Sequence, residues 1–282
     1  MDDSLPQTSA RPTPQRIYRH RWPVRLMHWI NVLCLTVLLM SGLTIFNAHP
    51  ALYWGRDAKF DAPWLLIGAR TTPAGTVGVT RVGTHAFDTT GVLGVSTPAD
   101  ASQPTARGFP AWATIPGRQW LSMGRHWHFF FAWLFVVNGV CYVAYALASG
   151  HLRRDLLPTR LEWRRIGGSI ADHLRLRHPT GEAAKRYNVL QNIAYLTVIF
   201  GLLPLVILAG MALSPRLDTV VTGWVEVFGG RQSARSVHFL AAAGLLLFVM
   251  VHVFEVLISG AWNQLRSMVT GWYTVPADHP GK

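Results

Sequence analysis

The chain alternates between long apolar stretches and polar segments that are rich in arginine, glycine and proline. Four of the apolar stretches run for about 20 residues or more, enough to cross a ~30 Å hydrocarbon core at ~1.5 Å per residue. Buried helices of a large soluble protein are the alternative, but soluble helices of this length carry a polar face. The pattern therefore predicts an all-α membrane protein, a bundle of four transmembrane helices at residues 26–46, 126–149, 188–213 and 235–259.

Between the first two spans lies an unusually long polar segment, residues 47–125, called the cap below. It is rich in glycine, proline and threonine and has no helical period, which predicts a loosely structured cover with short β pieces. Disorder is an equal alternative for Arg70–Gln103. In the segment 150–187, Leu161–His178 has apolar residues at helical spacing beside arginines, which predicts an amphipathic helix on the membrane surface. The tail Ser259–Tyr273 resembles a second such element.

Charge indicates the orientation. The net charge is +12, although only 14% of residues are charged. With four spans, the head 1–25, the segment 150–187 and the tail 260–282 lie on one side and hold 16 of the 26 Lys and Arg residues. The positive-inside rule places that side, with both termini, in the cytoplasm. The cap and the loop 214–234 are then outside, and the basic residues reflect topology and lipid contact, with no nucleic-acid motif beside them.

Cysteine and glycine motifs exclude several redox classes. The two cysteines, Cys34 and Cys141, lie inside predicted spans. There is no Cys-x-x-Cys-His motif for a covalently attached haem, and two thiolates are too few for an ordinary four-cysteine iron–sulfur cluster. No Gly-x-Gly-x-x-Gly motif is present, which argues against a built-in nicotinamide-dependent reductase.

Several histidines lie in or beside the predicted spans. They are His28, His126, His128, His238 and His252. Ionisable side chains in a membrane are costly and usually functional. His238 and His252 are fourteen residues apart on one predicted helix, so their rings share a face and lie ~21 Å apart along the axis. That interval suits two stacked haems, each with one axial imidazole from this helix, better than one shared metal ion.

Antiparallel spans give each of these two imidazoles a partner at matching depth. His28 begins the first span at the inner side, level with His252 near the end of the fourth. His126 and His128 begin the second span at the outer side, level with His238. We therefore expect His28 to pair with His252, and His128 or His126 to pair with His238, as ligands of two haem irons.

Small and basic residues accompany these histidines. Gly42 follows His28 by fourteen residues and Gly139 follows His128 by eleven, so each faces inward, where a glycine permits close approach of a porphyrin. Ordinary helix packing is the alternative for both glycines. Arg25, one turn before His28, either neutralises a haem propionate or anchors the helix at the interface.

At these residues the chain resembles a known family. Tyr18–Leu43 ("YRHRWPVRLMHWINVLCLTVLLMSGL") is similar to the first span of bacterial cytochrome b561-type and nickel-hydrogenase b-type cytochrome subunits, which are related to formate dehydrogenase γ subunits. The likeness extends over all four spans and is most specific in the histidine placement and the Arg-x-x-His-Trp start. The long cap resembles that of a subgroup which partners molybdopterin oxidoreductases.

The resemblance implies a function. Family members carry two non-covalent b haems and pass electrons between a peripheral enzyme and quinone in the bacterial inner membrane. Carried over by position, the axial ligands are His28, His128, His238 and His252. The implied partner is a periplasmic oxidoreductase of the molybdopterin type. Two other classes remain open: a free-standing haem oxidoreductase that reacts with superoxide or another small oxidant, and a transporter or metal-binding protein.

A quinone site requires hydrogen-bonding groups beside one haem. Asn188, Gln191 and Asn192 stand at the inner end of the third span, level with the expected inner haem. Their amides are candidates for quinone binding, with helix capping by Asn188 as the alternative.

Overall fold

The computed structural model describes residues 15–73, 75–97, 104–117, 119–150 and 189–275, with positions 152, 157, 163, 167 and 168. Asn188 and nearly all of the amphipathic helix predicted at Leu161–His178 lie outside these residues. The helices are α1 (Trp22–Asn47), α2 (Leu121–Ala148), α3 (Val189–Thr197), α4 (Leu203–Ala212), α5 (Pro215–Val220), α6 (Arg231–Ile258) and α7 (Ala261–Thr270). The strands are β1 (Arg16–Tyr18), β2 (Ala51–Leu52), β3 (Leu65–Thr72), β4 (Gly75–Val82), β5 (His85–Asp88), β6 (Gly94–Ser96), β7 (Thr105–Arg107) and β8 (Trp272–Thr274).

Four helical segments are long and apolar enough to cross a membrane: Trp22–Asn47, Leu121–Ala148, Val189–Ala212 and Arg231–Ile258. The prediction of four candidate spans is therefore confirmed. Three of them begin four or five residues earlier than their apolar runs, at Trp22, Leu121 and Arg231. Hydropathy marks only the part of a helix that matches the hydrocarbon core, whereas backbone hydrogen bonding continues into the polar turns beside it.

The third span is interrupted at its centre. Helices α3 and α4 are joined by a π-helical segment, Val198–Leu202, and Pro204 follows in the first turn of α4. Proline has no N–H to donate to the carbonyl four residues earlier, and its ring crowds that carbonyl, so a straight α-helix is disfavoured there. A single wider π turn within an α-helix is rare and often occurs at functional sites.

The chain divides into two compact units. The larger unit comprises residues 27–144 and 197–250, and the smaller comprises residues 1–26, 145–196 and 251–282. The larger unit holds the cap and most of α1, α2 and α6, together with α4. The smaller unit holds most of α3, the end of α6, helix α7, and strands β1 and β8.

The cap is a folded β structure. Strands β2, β3, β4 and β5 form an antiparallel sheet in that order, and β6 pairs with β7. Leu65 and Ile67 on β3 are buried with Leu52 and Phe46, the last contributed by α1. Disorder is thus the wrong alternative for 70–73 and 75–96, because the glycine- and threonine-rich sequence forms hairpins whose strands cover a small apolar core. Strands β1 and β8 pair with each other and form a short two-stranded sheet, called the β1–β8 ribbon below. The expectation of an all-α chain therefore holds only outside the cap and this ribbon.

Two glycines in the cap are required by close backbone contact. A Cβ at Gly78 would lie 2.1 Å from the carbonyl oxygen of Leu93, and one at Gly94 would lie 2.1 Å from that of Gly68. Gly94 also has a φ of +84°, which other residues rarely adopt. These glycines let the β6–β7 ribbon cross directly over the main sheet.

Side-chain hydrogen bonds attach the cap to the ends of α1 and α6. Asn47 donates to the Phe109 carbonyl at 3.0 Å and accepts from the Phe109 N–H at 2.7 Å. Arg235 donates to the carbonyls of His49 and Ala51. The Trp64 indole N–H donates to Ser236 Oγ at 2.9 Å, and that hydroxyl donates to a cap carbonyl. The cap is therefore fixed to α6 within one turn of His238.

Candidate functional site

Two imidazoles from different spans lie together in the larger unit. His128 on α2 and His238 on α6 have ring centroids 6.1 Å apart, and the ring planes are inclined at 70°. From depth alone the sequence predicted that His238 pairs with His128 or His126, and the structure brings the ring of His128 to that of His238. Two imidazoles that each bind one shared metal atom at about 2 Å through a ring nitrogen would have centroids at about this separation.

Each of the two rings makes a hydrogen bond through its Nδ1 atom. His238 Nδ1 lies 2.8 Å from the carbonyl oxygen of Val206, which can only accept, so the proton of the neutral ring is on Nδ1. His128 Nδ1 lies 3.1 Å from Ser41 Oγ, and that hydroxyl donates to the Val37 carbonyl at 2.6 Å. Its oxygen therefore accepts from His128. In both rings the unprotonated Nε2 is the nitrogen available to a metal.

Glycines on neighbouring helices make room for both rings. A Cβ at Gly42 would lie 3.4 Å from Cε1 of His128, and a Cβ at Gly210 would lie 3.0 Å from Cε1 of His238. Gly42 was expected from its spacing. Gly210 was missed, although Val206 and Gly210 are four residues apart and so share one helical face. The third span has no histidine, yet it supplies the carbonyl and the space that position His238.

The structure separates His126 from His128. His126 is exposed, and its Nδ1 lies 2.8 Å from the Ser122 carbonyl of its own helix. His128 turns instead towards His238. This geometry favours His128 as the ligand.

Arg25 and Gly139 lie in surroundings that differ from those of the imidazole pair. Arg25 Nη1 donates to the Val269 carbonyl on α7, and its buried Nε has no hydrogen-bond partner among the described residues. Its propionate role stays a prediction, beside an observed role in holding α7. A Cβ at Gly139 would have no atom of the described residues within 4 Å, so the predicted haem contact also stays a prediction.

The other two predicted ligands belong to different units. His28 lies in the larger unit beside Trp29, with ring centroids 5.5 Å apart. His252 lies in the smaller unit beside Tyr195, with centroids 6.5 Å apart. The pairing of His28 with His252 stays a prediction.

One of the predicted quinone-binding amides is buried with unused hydrogen-bonding capacity. Asn192 on α3 is only 4% exposed, and its Oδ1 has no hydrogen-bond partner among the described residues. Tyr195, which contacts His252, follows one turn later on the same helix face. Gln191 lies beside Asn192 on α3, and Asn188 is outside the described residues.

The donor set itself limits the cofactor. In the described part of the chain, no three His, Cys, Asp or Glu side chains cluster closely enough to hold a metal ion. A structural zinc site needs about four protein ligands, whereas a haem iron takes only its axial ligands from protein. Two imidazoles from different helices, each with a hydrogen-bonded Nδ1 and a glycine beside it, fit a haem.

Comparison with known proteins agrees with this geometry. Residues 19–271 match the family model described as prokaryotic cytochrome b561. The chain belongs to the prokaryotic cytochrome b561 family. A curated relative from Azospira oryzae, the "putative protein-methionine-sulfoxide reductase subunit YedZ1", is 26% identical over 82% of this chain and 85% of its own length. No solved structure matches the chain.

Family membership settles the class of the molecule. This b561 protein is an integral membrane cytochrome that binds haem b and takes part in electron transport. The prediction of the family from the histidine pattern is confirmed.

Proposed function

We propose that this b561 protein is a dihaem membrane subunit that transfers electrons between a peripheral oxidoreductase and the quinone pool. The observation that carries the proposal is the His128–His238 pair, with each Nδ1 hydrogen-bonded and each Nε2 available. His28 and His252 are the proposed ligands of a second haem, by their depth in the sequence. The name of the YedZ1 relative describes a reductase subunit, which favours a subunit over a free-standing enzyme.

When bound, haem b supplies a one-electron couple that can accept and release electrons without leaving the site. The residues of this chain set the conditions for that couple. His128 and His238 would hold the iron from two helices, and the hydrogen bonds to Ser41 and Val206 would keep the two rings in the ligating tautomer. Gly42 and Gly210 allow the imidazoles to stand close to the neighbouring helices.

We further propose that the partner binds on the cap side of the bacterial inner membrane. The uneven basic charge favours cytoplasmic termini and a periplasmic cap. The cap is a folded element joined to α6 by Arg235 and Ser236, which suits a docking platform better than a loose insertion. A molybdopterin-type oxidoreductase is the proposed partner, supported by the cap resemblance and by the reductase subunit among the relatives.

The proposed quinone site lies at the inner end of the third span. Asn192 has an unused amide oxygen in a buried position, and Tyr195 links the same helix face to His252. An amide can donate to a quinone carbonyl through its NH2 or accept from a quinol hydroxyl through its oxygen. Gln191 and Asn188 are the neighbouring candidates.

Haem stoichiometry combined with quinol oxidation tests this proposal. The full chain, purified in mild detergent, should release two b haems per polypeptide into acid acetone. Both haems should become reduced when a soluble quinol is added without any partner protein. A single haem per chain would overturn the dihaem assignment, and two haems that quinol cannot reduce would overturn the quinone assignment. His126→Ala is the matched control and should behave as the wild type.

A further inference from the structure

Helix α7 carries an exposed apolar stripe directly after the fourth span. Trp262, Leu265 and Val269 are 75%, 46% and 59% exposed, and their spacing of three and four places them on one helix face. Only Ser259 and Gly260 separate α7 from the end of α6. A short amphipathic helix that leaves a span in this way is expected to lie along the membrane surface.

The polar side of α7 is already occupied by protein. Asn263 donates to the Thr274 carbonyl at 2.7 Å and accepts from the Thr274 N–H at 3.1 Å. Strand β8, which contains Thr274, pairs with β1 near the N-terminus. Tyr18 on β1 also packs edge-on against Trp272. The β1–β8 ribbon thus holds α7 from its polar side and leaves the apolar stripe uncovered.

A cavity with two arginines in its lining, called the arginine-lined cavity below, lies between α7 and the ribbon. It measures about 330 Å³ and is lined by Arg16, Arg266, Thr270 and Trp272. Arg266 donates to Asn263 Oδ1 and to Thr274 Oγ1, while its Nε is buried without a hydrogen-bond partner among the described residues. No carboxylate is among the described residues that line the cavity. Two arginine side chains with no carboxylate among the described lining residues favour an anion.

We propose that this cavity binds the phosphate of an anionic phospholipid. Arg16 and Arg266 hold the phosphate, while Trp262, Leu265 and Val269 lie among the upper parts of the acyl chains. The apolar stripe and the arginine-lined cavity both lie on α7 and the β1–β8 ribbon. This arrangement matches a ligand that has a charged head group beside an apolar body. Trp272 lines the cavity and is itself half exposed, as expected for an indole at the headgroup level.

Lipid titration of the purified, haem-loaded full chain tests the proposal by native mass spectrometry. Phosphatidylglycerol should bind in preference to phosphatidylcholine. The double variant R16Q/R266Q should weaken phosphatidylglycerol binding about 25-fold, since each basic side chain near an anionic lipid contributes on the order of fivefold. The matched control R70Q/R216Q removes the same charge from exposed arginines of the larger unit and should leave the affinity unchanged.

Two measurements on the unaltered protein keep the test independent of any effect of the variants on folding. Equal binding of phosphatidylcholine and phosphatidylglycerol would overturn the proposal, because the arginines would then not distinguish charge. Inorganic phosphate at millimolar concentration should not displace the lipid. Displacement by phosphate alone would show a site for a free anion and would overturn the assignment to lipid.

Discussion

The two ends of α6 carry the same side chain, a histidine, in different surroundings. The buried residues of this helix all lie between its start and its midpoint region: Ser233, Ala234, Ser236, Ala241 and Leu245. The second half exposes Met250, Val251, Val253, Phe254 and Leu257. His238 is hydrogen-bonded to a backbone carbonyl beneath a folded cap, whereas His252 stands next to Tyr195 in an apolar, exposed part of the helix.

This difference indicates a division of labour along one helix. In the first half, Arg235 and Ser236 attach the helix to the cap, and the Val206 carbonyl fixes the ring of His238. Under the proposed function, the exposed second half would face the lipid, where a quinone dissolved in the membrane could approach it. A quinone that must diffuse in and out would require such an open side. A haem that exchanges electrons with a docked protein would instead suit a pre-formed site.

Removing either imidazole of α6 should have the largest effect on haem binding, and each removal should affect a different haem. His238→Ala should abolish one b-haem component of the reduced spectrum, and His252→Ala should abolish the other. The reason is that a haem held by two axial ligands on two helices loses its position when one ligand is missing. Haem content should fall to about one per chain in each variant by acid acetone extraction. Loss of the same component in both variants would contradict the assignment of one haem to each end.

Changing Asn192 should affect only the reaction with quinol at the proposed site near His252. Asn192→Leu removes a buried amide, and a neutral hydrogen bond contributes about 0.5–1.5 kcal/mol, so the KM for quinol should rise roughly two- to tenfold. Steady-state haem reduction by a soluble quinol measures this effect, with both haems still present. Ser41→Ala is the control at the other end and should leave this KM unchanged. Trp120 lies directly before α2, at the end that adjoins the cap. An unaltered KM in Asn192→Leu, together with a raised KM on changing Trp120, would move the quinone site to the cap side.

Changing Ser41 should alter the haem site of His128 and His238 only slightly. The hydroxyl accepts a hydrogen bond from His128 Nδ1, which makes that imidazole a stronger donor to the oxidised iron. Ser41→Ala should therefore raise the midpoint potential of this haem, by an amount on the order of 20–60 mV if one hydrogen bond is lost. A spectroelectrochemical titration resolves the two haems. A shift in the haem of His252, or a fall in potential, would argue against this role of Ser41.

The smallest expected effect concerns pH and the cap. Burial, and secondarily the charge of Arg235, lower the pKa of His49 below its ordinary value of 6.5. The unfolded cap then binds a proton that the folded cap does not, so cap stability is complete above about pH 6.5 and falls as the pH drops below it. Hydrogen exchange of β2 and β3, corrected for intrinsic rates, should be faster in relative terms at pH 5.5 than at pH 7.5. His49→Gln should remove this dependence, and its persistence would exclude His49 as the cause.

Much of the membrane part could be predicted because its signals are local. Four apolar runs predict four spans, and the depth of each histidine follows from residue counting along a regular helix. The cap was harder, because its strands are short and their glycines matter only through the Leu93 and Gly68 carbonyls that they approach. Its fold depends on pairings between distant residues, which periodicity does not reveal.

The sequence by itself determined the class of this protein and the number of its candidate spans, and it predicted which histidines share a depth, since hydropathy and helical rise are properties of consecutive residues. Only the tertiary structure decided that His128 rather than His126 faces His238, and that Ser41, Val206 and Gly210 position the two rings. Those relations join helices that are far apart in the chain. Their geometry depends on how the side chains of several spans pack together, which no single stretch of sequence specifies.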